Sequence, residues 1–354
     1  MITIVITGGH HNSALVVARD LMERDVKIAW IGHRHSSRQD SSDSAEYIEV
    51  KASNITFYDL TAARFIASFK EIIIFPVGIF RALQFLRRIH PSAILSFGGY
   101  LGGTVALAGA MLNIPIYLHE QTVTAGRSNK LIAKLSRKVF LTWAESAKYF
   151  PPHKTEIIGL PLRNGVLSSK KINIFSRSKP TLLIMGGKQG SSAINHFIFN
   201  NINDLLMRFN IVHQTGTNST TKDYEHAVAL KNTLGSLSDS YLPLGYISES
   251  EIGGYLHTAS YYLGRSGAHI CYELCVVGLR AILVPLMSTH DHEQHKNATI
   301  LTKANLGIIL SESKLGLKNL FESIDQLNQL VPLSLDLPRN ASKLLVGAIL
   351  QDIK

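Results

Sequence analysis

Apolar residues run along this chain in short unbroken stretches, each followed by a small or polar turn and then by helical spacing. Residues 2–6, 93–97, 114–118, 181–185 and 281–285 are such runs. Continuous apolar runs of this length suit central strands of a parallel sheet, covered on both faces. The turn at 7–13 leads into a predicted helix at 14–24, with Ser13 as N-cap. The run at 93–97 is followed by a glycine-rich loop, 98–103, and a predicted helix at 104–112. After a polar, lysine-rich stretch at 164–180 the pattern restarts, with a strand at 181–185, a glycine loop at 186–191 and a helix from 193. Residues 211–216 read as the next strand and turn, and 246–247 close another strand before a helix from 252. The clearest unit is 261–297: an apolar run, the loop 264–268, a helix at 269–277 stopped by Gly278, a buried strand at 281–285 and a polar loop at 288–294. The end, 340–353, reads as an amphipathic helix. The repeat predicts two similar α/β domains facing one another, at 1–160 and 161–335, with 336–354 as a helix packing back on the first.

Ligands of such sheets bind at the carboxyl ends of the strands. The turn residues there are therefore the candidates for chemistry. Thr7, Gly8 and Gly9 form one turn, and Gly98, Gly99, Tyr100, Gly102 and Gly103 a second in which backbone N–H groups can wrap phosphate oxygens. The Gly8-Gly9 pair lacks the spaced third glycine of a dinucleotide fingerprint, and Gly186-Gly187-Lys188-Gln189-Gly190-Ser191 is not a P-loop. His119, Glu120 and Thr122 stand at the end of the 114–118 run, placed for a site or for capping the next segment. Glu273, one turn into its helix, can accept from a sugar diol or simply complement the helix dipole.

Composition narrows the class. The chain has 354 residues, 45% of them hydrophobic, enough for two ordinary cores. No apolar run reaches the ~20 residues of a membrane span, and the N-terminus lacks a signal-peptide pattern, so a cytoplasmic protein is expected. Cys271 and Cys275, the only two cysteines, lie four apart on one helix and read as core thiols, not as a metal site. The net charge of +10 favours an acidic partner. Arg127, Lys130, Lys134, Arg137, Lys138, Lys148 and Lys154 crowd one segment with Glu145 as its acid. Without an RNA-binding motif or zinc finger, nucleic acid is the weaker choice. Residues 72–89 mix large apolar side chains with Arg81, Arg87 and Arg88, and Pro76 and Gly78 interrupt the run. They read as a strand end and an amphipathic core helix, or as a face resting on a membrane with its arginines on lipid phosphates.

Eight segments, from Gly8-Gly9-His10 through His119-Glu120-Gln121, Pro161-Leu162-Arg163 and His213-Gln214-Thr215-Gly216 to Gln294 with Asn297-Ala298, occur in the order and spacing of the MurG family. The chain resembles these UDP-N-acetylglucosamine:lipid I N-acetylglucosaminyltransferases of peptidoglycan synthesis over nearly its whole length. The resemblance implies a GT-B fold, inversion at the anomeric carbon, no metal or other cofactor, and a peripheral place on the cytoplasmic face of the cell membrane. The implied partners are UDP-GlcNAc, polyprenyl-pyrophosphate-linked lipid I and anionic lipid. Ala268, His269, Ile270, Cys271, Tyr272 and Glu273 match the segment lining the UDP-sugar, with Glu273 on the ribose diol. Ile247 matches the residue whose backbone reads uracil, Gln294 a contact to the sugar hydroxyls, and Arg163 an arginine near the donor phosphates. Thr7, Gly8, Gly9 and the 98–103 loop match loops for the donor sugar and the acceptor pyrophosphate. His10 matches a histidine near the reacting hydroxyl and is the first base candidate, with His119 and Glu120 as rivals. The chain departs from the family at Ser13 (usually Pro), Thr122 (Asn), Lys188 (Ser) and Tyr272 (a small residue). Other readings are a GT-B transferase or UDP-sugar epimerase with another sugar or acceptor, and a non-catalytic sugar-nucleotide-binding protein.

Overall fold

The computed structural model describes residues 2–35, 43–61, 69–168, 170–176, 178–288 and 292–353, with backbone alone at 69–74 and 164. The chain divides into two compact units, Met1–Leu162 with Pro338–Lys354, and Arg163–Leu337.

The first unit is a seven-stranded parallel sheet. Its strands are β1 (Thr3–Thr7), β2 (Lys27–Gly32), β3 (Thr56–Asp59), β4 (Ala93–Ser96), β5 (Ile116–Glu120), β6 (Lys138–Leu141) and β7 (Thr155–Ile157). They lie in the order β3-β2-β1-β4-β5-β6-β7. Its helices are α1 (His11–Met22), α2 (Ala45–Ala52), α3 (Phe69–Ile89), α4 (Gly99–Met111) and α5 (Arg127–Leu135). One face of the sheet packs against Leu15, Val17 and Leu21 of α1 and against Leu345, Val346 and Ile349 near the C-terminus. The other face carries Leu83 and Leu86 of α3, Leu101 and Val105 of α4, and Ile132 of α5. Both faces are therefore apolar, which is why the strands read as continuous runs.

The second unit is a six-stranded parallel sheet in the order β10-β9-β8-β11-β12-β13. Its strands are β8 (Thr181–Met185), β9 (Asn210–Gln214), β10 (Tyr241–Leu244), β11 (Tyr261–Gly264), β12 (Arg280–Leu283) and β13 (Gly307–Ile309). Its helices are α6 (Asn164–Leu167), α7 (Ser192–Asn200), α8 (Ile202–Arg208), α9 (Asp223–Thr233), α10 (Ile252–Thr258), α11 (Ala268–Val277), α12 (Glu293–Lys303) and α13 (Leu317–Gln329). A last helix, α14 (Ala341–Asp352), returns to the first unit and packs on α1. In both units the strand order reverses at one place, between β1 and β4 and between β8 and β11. Those are the topological switch points, beside which ligands of such sheets bind.

The two parallel-sheet, Rossmann-like domains expected from the repeat are present. Several boundaries differ. Helix α1 begins at His11, so Ser13 is no cap; it is buried inside the first turn and its Oγ donates to Gln121 Oε1 at 2.8 Å. Helix α4 begins at Gly99, so Gly102 and Gly103 belong to a buried helix rather than to a loop. A Cβ on Gly102 would stand 2.5 Å from Ser96 Oγ, which accepts the Gly98 N–H at 3.2 Å. The glycine is needed for close helix–strand packing. Residues 69–89 form one helix with Pro76 inside it, not a strand end followed by a helix. The polar loop expected at 288–294 lies partly outside the described residues.

Candidate functional site

In the first unit the turns after β1 and β4 touch. A Cβ on Gly8, whose φ is +128°, would stand 2.7 Å from the Phe97 carbonyl carbon, so only glycine allows the approach. Gly98 also has positive φ, and a Cβ there would meet the Asn129 side chain at 2.5 Å. Asn129 of α5 organises this corner: its Oδ1 accepts the Gly99 N–H at 2.9 Å and its Nδ2 donates to Glu120 Oε2 at 2.6 Å. No local pattern in the sequence marks Asn129. Thr7, at the end of β1, is fully buried, and Tyr100, half-buried, has its ring 5.4 Å from that of His33. His10, half-buried, occupies the N-cap position of α1.

His119 and Glu120, two of the three residues considered for acid–base work, are built into the fold. Both lie in β5, which ends two residues later than its apolar run. His119 is fully buried, with Nε2 3.1 Å from the Gly159 carbonyl and its ring against Phe97. Glu120 accepts from the Thr122 N–H at 3.0 Å, from Thr122 Oγ1 at 2.9 Å and from Asn129. Thr122, expected near the donor sugar, is buried and spends its hydroxyl on Glu120 and the Thr124 carbonyl. These side chains shape the turn and are poorly placed to meet a substrate.

In the second unit the turn after β8 carries Lys188, Gln189 and Gly190, and the turn after β11 leads into α11. Gly190 and Gly216, with φ of +81° and +91°, let the β8 and β9 turns pack backbone on backbone. Gln214 Nε2 donates to the Gly187 carbonyl at 3.0 Å. Lys188 does not turn into solvent: it is half-buried, with Nζ 5.6 Å from the Tyr246 ring centre. Ile247, just beyond, is buried.

Glu273 sits in the second turn of α11 with no exposed surface. Arg163, at the unit's first residue, grips it in two-pronged fashion, Nε donating to Oε1 at 2.7 Å and Nη2 to Oε2. His269 Nδ1, one turn before, lies 3.1 Å from Oε1. Burial pushes the carboxyl's pKa up, but Arg163 and His269 more than reverse this and hold it down at about 2. Burial alone lowers the Arg163 pKa; Glu273 overturns that, and the guanidinium ends above its ordinary value. Thus Arg163 and Glu273, both expected at the donor, meet in a buried ion pair, and Glu273 shows no surface at a pocket wall. The side chains of Cys271 and Tyr272 are likewise fully buried, whereas His269 and Ile270 keep some exposure. Both cysteines are free, as core thiols should be, and burial raises the Cys271 pKa and pushes that of Cys275 up to about 12. Gln294 is partly used by the fold: its Oε1 accepts the Leu286 N–H at 3.0 Å and its carbonyl accepts Ser266 Oγ at 2.9 Å. Among the described residues no group of His, Cys, Asp and Glu could hold a metal ion.

Comparisons with known proteins agree with this layout. Residues 1–141 match the glycosyltransferase family 28 N-terminal domain and residues 181–336 its C-terminal domain. The chain is 28% identical to a UDP-N-acetylglucosamine--N-acetylmuramyl-(pentapeptide) pyrophosphoryl-undecaprenol N-acetylglucosamine transferase of Clostridium botulinum (strain Kyoto / Type A2), over 91% of this chain and 88% of that one. An enzyme of the same name from Francisella tularensis subsp. holarctica (strain FTNF002-00 / FTA) is also 28% identical, over 91% and 87%. Among solved structures, Acinetobacter baumannii MurG superposes with a TM-score of 0.72 at 22% identity, covering 99% of this chain and 100% of that one. The UDP-GlcNAc 2-epimerase of Neisseria meningitidis, bound to UDP-GlcNAc, shares the fold with a TM-score of 0.67 at 15% identity, covering 99% and 100%. With both halves of one family matched in order, the chain belongs to glycosyltransferase family 28.

Proposed function

We propose that the chain moves N-acetylglucosamine from UDP-GlcNAc to lipid I, with inversion at the anomeric carbon, to make lipid II for peptidoglycan. The observation that carries this reading is the match to both family domains by a chain whose Arg163–Glu273 pair stands beside the switch point of its second sheet. In the displacement the acceptor hydroxyl attacks the anomeric carbon and UDP leaves. Alignment of the two substrates supplies much of the rate. Charge grows on the diphosphate, and the start of α7, Lys188 and Arg163 are the groups to meet it. Glu273 has no exposed surface, so the ribose diol reaches it only when Arg163 gives way; the diphosphate is the anion to which that guanidinium then turns. The Ile247 backbone takes the uracil, and Ala268, His269 and Ile270 line the donor. In the first unit the turns of Gly8–Gly9 and Gly98–Gly99 hold the acceptor pyrophosphate. His10, at the N-cap of α1 and matched to a histidine near the reacting hydroxyl, is the base.

The acceptor is lipid-borne, so the first unit works at the cytoplasmic face of the membrane. Among the described residues no helix is long and apolar enough to cross one. Helix α3 exposes Val77 and Phe80 beside Arg81, and α5 exposes Arg127, Lys130 and Lys134. Both helices pack on α4, which puts them on one side of the sheet. Apolar side chains among cations suit an anionic lipid surface.

A transfer assay with a lipid I analogue against a panel of UDP-sugars tests the reaction. Lipid II should form from UDP-GlcNAc alone. UDP release that needs no acceptor would point to epimerase-like chemistry, and binding of UDP-GlcNAc without turnover to a non-catalytic protein.

A further inference from the structure

A chain of hydrogen bonds lies beneath the glycine turn of the second unit, and neither the transfer chemistry nor the ion pair uses it. His213 of β9 has no exposed surface. Its Nδ1 is 3.0 Å from Tyr241 Oη and its Nε2 is 3.0 Å from Asn195 Oδ1. Asn195, in α7 and also without exposure, places Nδ2 at 2.8 Å from the Thr215 carbonyl and 2.8 Å from Asp223 Oδ2.

The direction of every bond follows from one end. The Thr215 carbonyl can only accept, so the Asn195 NH2 must face it. Oδ1 is then left for His213, whose Nε2 must carry the hydrogen. Nδ1 is the acceptor for the Tyr241 hydroxyl. Burial pushes the imidazole's pKa down to about 3, so this neutral tautomer persists at working pH.

The far end of the chain is the Thr215 carbonyl, against which Gly190 packs so closely that no Cβ fits there. The same turn is held at Gly187 by Gln214, the neighbour of Thr215. We infer that Tyr241, His213 and Asn195 are positioning residues that fix the 186–190 turn for the donor diphosphate. This rests on the proposed transfer from UDP-GlcNAc. A merely structural role would stabilise the domain without regard to ligand. A positioning role acts on phosphate binding and spares the nucleoside.

Calorimetric titration with UDP and with uridine separates the two, using wild type, His213→Leu, His213→Gln and Tyr241→Phe. A glutamine amide can set its N–H where the imidazole Nε2–H stood. Loss of both imidazole hydrogen bonds sets the scale: His213→Leu should weaken UDP binding about tenfold and leave uridine within about twofold. His213→Gln should restore most of the UDP affinity. Tyr241→Phe should weaken UDP by about threefold, again sparing uridine. The KM for UDP-GlcNAc should rise in His213→Leu without a matching fall in kcat. Equal losses for UDP and uridine, or unchanged UDP binding in His213→Leu, would overturn the inference. If His213→Leu does not fold, Tyr241→Phe decides: an unchanged preference for UDP over uridine overturns it. Wild-type protein that binds no UDP would overturn the transferase reading itself, which a UDP-binding wild type with an indifferent His213→Leu would leave standing.

Discussion

At the scale of single residues, burial changes what Glu273 is for. A carboxylate without exposure must be paired, and Arg163 pairs it on both oxygens. Replacing either partner alone strands a buried charge and should cost roughly 3–5 kcal/mol of stability. Denaturant unfolding of Glu273→Ala checks this. The double replacement Arg163→Met with Glu273→Leu should recover much of the loss, because no charge is stranded, while donor binding stays absent. The same pair has a pH signature. The folded pKa of Glu273, about 2, lies below the ordinary 4.5, so its stabilisation is full above 4.5 and is lost as pH falls towards 2. His213 acts in the same direction from 6.5 down to about 3. Thermal melts of Glu273→Gln should therefore show a shallower acid slope than wild type between pH 4.5 and 2, and parallel curves would refute the assignment. Lys188, leaning on Tyr246, is the cation proposed to meet the donor diphosphate. Lys188→Ser should weaken UDP by roughly 1 kcal/mol at low salt and less at high salt, with no change for uridine.

At the scale of elements, helices α3, α4 and α5 share one side of the first sheet and differ in what they show. Helix α4 is mostly buried and carries no charged residue; α3 and α5 keep a wet face. If that face meets lipid, binding to anionic vesicles should fall with salt, at about 1 kcal/mol per basic residue near the surface. Phe80→Asp with Val77→Asp should reduce co-sedimentation and leave the melting temperature nearly unchanged, since both side chains are exposed. Co-sedimentation indifferent to lipid charge would return α3 and α5 to a purely structural role. The packing of α4 makes a separate demand. Gly102→Ala would push Ser96 Oγ away from the Gly98 N–H it accepts, at an overpacking cost of about 1–3 kcal/mol, read by thermal unfolding.

At the scale of the whole molecule, chain order and domain membership part company. Helix α14 ends the chain but completes the first unit, with Leu345, Val346 and Ile349 fully buried against α1 and the sheet. Tyr117 Oη donates to Asp352 at the helix's end, and Arg137 Nη1 lies 3.6 Å from the same carboxylate. Full burial of each large apolar side chain contributes about 1.5–3 kcal/mol. Removing residues 341–354 should therefore destabilise the first unit by several times that amount and spare the second. Calorimetry should show one transition moving down while the other stays. Loss of both transitions together would mean that the units do not unfold independently.

The amino-acid sequence by itself determined the architecture. Continuous apolar runs separated by glycine turns admit little except parallel sheets covered on both faces, and their restart at 181–185 made two of them. It also marked the glycine turns at strand ends as candidates for a site, while the strand order that sets two of them at a switch point in each unit exists only in the folded sheets. Tertiary structure alone decided what the polar side chains do. His119, Glu120 and Thr122 look like site residues in sequence because they are polar at a strand's end. Their hydrogen-bond partners, Gly159, Asn129 and each other, come together only in the folded sheet. Glu273 was legible as a carboxylate one turn into its helix, but its partner Arg163 is 110 positions away. Asn129 and Asn195 carry no local signal for the same reason, and the resemblance that marked His213 did not give its partners. Periodicity is a property of neighbours along the chain, whereas burial and pairing are properties of neighbours in space.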